Sequence, residues 1–148
     1  MVATTRNRVP MNTDSCINAS IRRKTENNIA YYAAGGTVAI SRRLAELDEE
    51  WDIERMLETN AATATLVGMT LGVTVNKKWF ALPVLVAAFL LQHAVQGWCP
   101  PLPVLRRMGF RTANEIDYER YALKALRGDF RNISEAGTAG HALSAAES

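Results

Sequence analysis

Residues 61–98 read AATATLVGMTLGVTVNKKWFALPVLVAAFLLQHAVQGW, and the next three are Cys99-Pro100-Pro101. Within this stretch Lys77 and Lys78 are the only charged side chains, and with Asn76 they split it into two apolar runs. A helix needs about 20 apolar residues to cross a bilayer core of about 30 Å. The pattern therefore predicts an all-α chain built on a two-helix transmembrane hairpin over residues 60–99, with spans near 60–75 and 79–98 and amphipathic helices on its flanks. The alternative is a soluble helical hairpin buried in a bundle, because short apolar runs also occur in core helices.

The two runs differ in quality. The first reaches only about 24 Å at helical rise, and Met56 and Leu57 are candidates to lengthen it. Its polar interruptions are threonines, whose hydroxyls can bond back to helix carbonyls. The second is bracketed by Trp79 and Trp98, roughly 29 Å apart in a helix, which matches the interfacial levels that tryptophan favours. Pro83 falls in its first turn, where a missing N–H does least harm. Pro100, Pro101 and Pro103 are expected to forbid further helix.

Lys and Arg near the span ends set the orientation. The turn carries Lys77 and Lys78. The flanks carry Arg42, Arg43 and Arg55 on one side and Arg106, Arg107 and Arg111 on the other. The positive-inside rule then puts both termini in the cytoplasm of a bacterial inner membrane. Lys77 and Lys78 snorkel at the far face, and with Trp79 and Trp98 they are the expected interface anchors.

Outward from the hairpin, residues 1–20 are polar, lack an apolar signal-peptide core and predict a disordered tail. Residues 21–59 predict helices at the cytoplasmic surface: one over 21–34, a break at Gly35-Gly36, and a second over 37–59 that runs directly into the first span. Ile40, Leu44, Leu47 and Trp51 form the apolar stripe of that second helix. Its acidic run from Glu46 to Glu54 reads as a solvated face rather than a cation site. An amphipathic helix is expected over 112–128, with Thr112 as N-cap, Glu115 as its capping-box partner and Gly128 as C-cap. Ile116, Arg120 or Tyr121, Leu123 and Leu126 or Arg127 would form its stripe. Residues 131–148 read as a loose tail.

Composition excludes several functions. The net charge of +2, with no basic stripe interleaved with aromatics, argues against nucleic acid. Mean hydropathy is −0.08, an average that blends an apolar middle with polar ends. The two cysteines, Cys16 and Cys99, and two histidines have no zinc-like spacing. Neither a phosphate loop, a catalytic-triad order nor an HExxH motif is present, so no catalytic residue, cofactor or metal is assigned.

Three groups remain as candidate sites. Ala64, Gly68 and Gly72 recur every four residues, and small residues let a second helix approach closely. The partner is either the second span, through Ala87, Ala94 and Gly97, or another copy of the chain. Gln92, Gln96 and Cys99 share one face of the second helix, with His93 beside them. They either cross-link helices or line a polar vestibule that leads to the thiol. Cys99 and His93 are the candidate thiol site. A thiol at a helix C-terminus is disfavoured as a thiolate, and Cys99 to Arg106 is one residue too long for a C-x5-R loop. A structural cysteine is therefore favoured over a nucleophile.

The stretch from Asn60 through Cys99-Pro100, with its Gly-containing first run and its Gly97-Trp98-Cys99-Pro100 ending, resembles the YgaP-like transmembrane family of small bacterial inner-membrane proteins. The resemblance covers about half the chain and implies a membrane-embedded homodimer with cytoplasmic termini. Some members are fused to a rhodanese sulfurtransferase domain. This chain carries no rhodanese-type cysteine loop, so a sulfur role would need a separate sulfurtransferase partner. The expected function is a small, dimeric, non-enzymatic inner-membrane hairpin protein with no physiological role assigned. The alternatives are a sulfur or thiol accessory with Cys99 as acceptor or sensor, and a soluble helical interaction module.

Overall fold

A computed structural model describes Thr4 and residues 6–130. Among these the chain is all-α and contains no strand. Seven α-helices follow in order: α1 Arg8–Met11, α2 Ser15–Ala34, α3 Gly36–Glu49, α4 Ile53–Thr74, α5 Ala81–Gln96, α6 Leu102–Arg107 and α7 Ala113–Arg127. A 3-10 turn, Lys77–Phe80, joins α4 to α5. The expected tail over 131–148 lies outside the described residues. The rest divides into two compact units, one of residues up to Ile21 with Trp51–Asn114, the other of Arg22–Glu50 with the residues from Glu115 on.

The first unit holds the hairpin. Asp52 caps α4, accepting a hydrogen bond from the Arg55 backbone N–H at 2.7 Å, as an N-cap carboxylate does. This cap corrects the expectation of one continuous helix over 37–59. Helix α3 ends at Glu49, Glu50 is extended, and α4 starts afresh at Ile53. The Ile53 N–H donates to the Arg111 carbonyl at 2.9 Å, tying the new start to the chain ahead of α7. Within α4 the hydroxyls of Thr59, Thr63, Thr70 and Thr74 each donate to the carbonyl four residues back, at 2.7–2.8 Å. Asn76 caps the 3-10 turn through the Lys78 N–H.

The prolines after Cys99 end one helix and begin another. Gly97 takes the left-handed conformation (φ +76°) and closes α5, its N–H donating to the His93 carbonyl at 2.7 Å. Pro101 and Pro103 then sit at the start of α6, where proline costs no hydrogen bond. The expectation that these prolines forbid further helix is corrected accordingly, since α6 starts at Leu102.

The N-terminal arm is the larger correction. Where a disordered tail was expected over 1–20, α1 and the start of α2 are ordered helix. Val9 is 1% exposed and packs with Ile53, Leu57, Cys99, Leu102 and Leu105, flanked by Met56 and Phe110. Asp14 Oδ1 accepts from the Cys16 N–H at 3.0 Å and starts α2. Asn18 donates to the Pro10 carbonyl and accepts from the Arg106 guanidinium at 2.8 Å. A polar segment is ordered here because one valine and a set of short amide and carboxylate side chains satisfy their surroundings.

The second unit packs Ile40, Leu44 and Leu47 of α3 against Ile116 and Leu123 of α7, with Ile29 and Tyr32 of α2 alongside. Gly35-Gly36 breaks the helix as expected, Gly36 at φ +75°. Trp51 is not in this stripe. It is exposed and the Arg55 guanidinium lies 4.3 Å from its ring centroid. The acidic run is not simply solvated either: Glu46 and Glu50 pair with Arg43, and Asp48 pairs with Arg120. Arg43 also pairs with Glu119 at 2.7 Å, a carboxylate with 0% side-chain exposure. On α7, Tyr121 and Leu126 are exposed, while Ile116, Glu119, Leu123 and Lys124 are buried. The inward face thus includes two charged groups that an apolar stripe cannot reveal. Thr112 directly precedes α7 and Gly128 follows it at φ +96°, donating to the Lys124 carbonyl at 3.1 Å.

Among the described residues one helical stretch, Lys77–Gln96, is long and apolar enough to cross a membrane. Helix α4 has 22 residues, but Glu54, Arg55 and Glu58 occupy its first two turns.

Candidate functional site

Helices α4 and α5 form an antiparallel pair, and glycine sets how closely they approach. A Cβ on Gly68 would stand 2.6 Å from Pro83 Cδ, and one on Gly72 would stand 2.8 Å from the Phe80 ring. Both distances are shorter than a real side chain tolerates, so the G-x-x-x-G stripe is occupied by the chain's own second helix. Toward the far end of the pair the small residues Ala61 and Ala64 leave space that no side chain fills. A cavity of about 220 Å³ opens there, lined by Leu57, Asn60, Ala64, Phe89, His93 and Cys99, among others.

His93 and Cys99 are buried polar groups that line this space, and the exposed Asn60 lines it as well. His93 is 5% exposed and Cys99 is 3% exposed. Neither imidazole nitrogen has a hydrogen-bond partner, and both are shielded from water. Burial pushes the Cys99 thiol up from its ordinary value, against an opposing effect of the Leu102 backbone N–H. Burial therefore disfavours the thiolate, the form that attacks electrophiles and binds metal. Arg106 does not activate it by sequence proximity alone: its guanidinium donates to the Phe110 carbonyl at 3.1 Å and to Asn18.

The other sequence-predicted residues scatter around this end and the turn. Gln92 is half-buried. The Gln96 side chain is exposed, and its backbone carbonyl accepts from Asn12 Nδ2 at 2.9 Å. Gly97 lies under α1, where a Cβ would meet the Arg8 carbonyl carbon at 2.5 Å. Trp79 and Trp98 are exposed at opposite ends of α5, and Lys77 and Lys78 are exposed at the turn.

Two residues at this end escaped the sequence reading. Arg8 donates to the Ala94 carbonyl at 3.2 Å and pairs with Glu54 at 3.5 Å. Arg8 Nε and Glu54 Oε2 are buried without further partners. The signal available in the sequence was Asn12-Thr13-Asp14-Ser15, a run of N-capping residues that announces helix and hence an ordered arm. Among the described residues no cluster of three or more His, Cys, Asp or Glu is arranged to hold a metal. No protein-family model, curated protein or solved structure matches this chain.

Proposed function

We propose that this chain is a small, non-enzymatic hairpin protein of the bacterial inner membrane. In this reading α4 and α5 cross the bilayer, Lys77 and Lys78 lie on the outer face, and both termini lie in the cytoplasm. The observation that carries it is the exposure of apolar side chains along both helices. Leu66, Val67, Met69 and Val73 on α4, and Val84, Leu85, Leu91 and Val95 on α5, are all exposed. Only 6% of the Lys77–Gln96 stretch is buried, whereas a core helix of a soluble protein would be mostly buried. An apolar surface of this extent calls for lipid or protein cover.

The short uncharged part of α4, Thr59–Thr74, spans about 24 Å. A bilayer accommodates such a span by local thinning and by snorkelling of the flanking Arg55 and Glu58 side chains. The homodimer expected from the family resemblance would use a surface other than Gly68 and Gly72, since those meet Pro83 and Phe80. A sulfur-accepting role for Cys99 draws no support from a thiol that is 3% exposed.

The test is membrane fractionation followed by an alkaline wash, with a membrane-impermeant maleimide applied to intact and opened cells. The reading expects the chain to stay in the washed pellet, with the exposed Cys16 labelled only after the cells are opened. Release into the supernatant overturns the membrane placement in favour of a soluble helical module. Labelling of Cys16 in intact cells overturns the orientation.

A further inference from the structure

We propose that the outer face of α6 docks on an anionic membrane surface, with Val104 and Met108 set into the boundary between headgroups and acyl chains and Arg107 on a lipid phosphate. The proposal rests on the hairpin reading and names the lipid class held at its cytoplasmic end.

Depth identifies the occupant of this face. On its inner side α6 places Leu102 and Leu105 in one core with Ile53 and Leu57 of α4. Those two α4 residues lie six and two positions ahead of Thr59, where the uncharged part of that helix begins. At helical rise they stand about 9 and 3 Å beyond that edge. A bilayer carries about 5–8 Å of headgroup layer on each side of its hydrocarbon core. A helix packed at this level lies among headgroups, not in hydrocarbon. Trp98, exposed just ahead of α6, is the residue type that favours the same level.

The chemistry of the face matches that level. Val104, Arg107 and Met108 stand at i, i+3 and i+4, on the side of the helix away from the core. Val104 is 59% exposed, Met108 is 70% exposed, and Arg107 is exposed between them. Apolar groups beside a cation are what helices lying in the membrane plane present to lipid. Arg107 has no hydrogen bond or ion pair among the described residues, and Asp14 is the carboxylate near enough to feel its charge. The adjacent arginine behaves differently: Arg106 is buried and donates to the Phe110 carbonyl and to Asn18. One arginine of the pair thus serves the fold, and the other is left with a charge that a phosphate oxygen can meet through a charge-assisted hydrogen bond.

The experiment uses the full chain carrying Cys16→Ser in vesicles of equal parts phosphatidylcholine and phosphatidylglycerol. A nitroxide on Met108→Cys reports depth, read as collisions with oxygen against collisions with a water-soluble nickel chelate. The Cys16→Ser chain itself, whose remaining Cys99 is 3% exposed, is the reference for stray labelling. A nitroxide on Leu91→Cys, at an exposed position of α5, reports on the hairpin. The label at 108 is expected to lie deeper than free label in buffer and shallower than the label at 91. Vesicles of phosphatidylcholine alone are expected to shift α6 out of the boundary about fivefold, the effect of one cation at an anionic surface. Arg107→Gln is expected to abolish that lipid dependence, and Arg107→Lys to keep it. A label at 108 that behaves as free label, while the label at 91 stays in hydrocarbon, overturns the proposal and leaves the hairpin standing. A label at 91 in water overturns both. Immersion at 108 that is indifferent to phosphatidylglycerol and to Arg107→Gln overturns the assignment of an anionic lipid.

Discussion

Gly97 carries two demands at one position. Its φ of +76° lies in the left-handed region, where a side chain costs about 1–2 kcal/mol. Its missing Cβ also makes room for the backbone of Arg8, 2.5 Å from where that atom would stand. Gly97→Ala is therefore expected to lose about 3 kcal/mol or more, toward the upper range for single substitutions. Thermal unfolding of the purified chain measures it, and a variant within a few tenths of a kcal/mol of the parent would contradict the close approach. Asp129 offers a second test at this scale. Arg127 lies beside it, Nε to Oδ1 at 2.8 Å, and holds its carboxyl below the ordinary value. A depressed folded-state value means that the pair contributes stability above the usual Asp range of about 3.9. That contribution is lost as pH falls through the lower folded value. Carbon-13 titration should place the Asp129 midpoint below that of an unpaired aspartate, and Arg127→Ala should return it.

At the level of elements, the close approach of α4 and α5 rests on Gly68 and Gly72, but not equally. The Cβ of an alanine at 68 would meet the ring carbon of Pro83, fixed to its own backbone. At 72 it would meet the Phe80 side chain, which can turn about its own bonds. Overpacking costs about 1–3 kcal/mol, so Gly68→Ala should fall near the top of that range and Gly72→Ala near the bottom. Comparing the two unfolding temperatures in one detergent checks the ranking, and the reverse order would show that Phe80 is the more rigid neighbour. These glycines also mark what the sequence made legible. Their four-residue spacing announced a helix contact, and the Asn76-Lys77-Lys78 turn announced which helix could supply it. The sequence could not choose between that helix and a second chain, because a G-x-x-x-G motif describes one surface and not its partner. The break at Glu50–Asp52 was hidden for a related reason. An N-cap aspartate inside an acidic run looks like any other acidic residue until its backbone partner, here Arg55, is known.

Across the whole molecule, apolar periodicity located the elements and charge decided much of their packing. Ile40, Leu44, Leu47, Ile116 and Leu123 were legible as a core from spacing alone. The buried Glu119 carboxylate was not, because its burial depends on Arg43, 76 positions away. The same is true of the candidate site. His93 and Cys99 stood out as polar groups at the end of an apolar run, whereas the cavity arises from the absence of bulk at Ala61 and Ala64. The N-terminal arm was the least legible part. Its order comes from Val9 entering a core formed by residues far along the chain, and no local pattern predicts such a contact.

That arm also imposes a timetable. Arg8 and its acceptor Ala94 are separated by 86 positions, and translation proceeds at about 5–20 residues per second. Helix α1 therefore waits roughly 4–17 seconds before its seat exists. Throughout that interval the nascent chain carries Val9 without its neighbours. Only when the ribosome has passed Leu105 can the earliest-made and latest-made parts of this core close on one another.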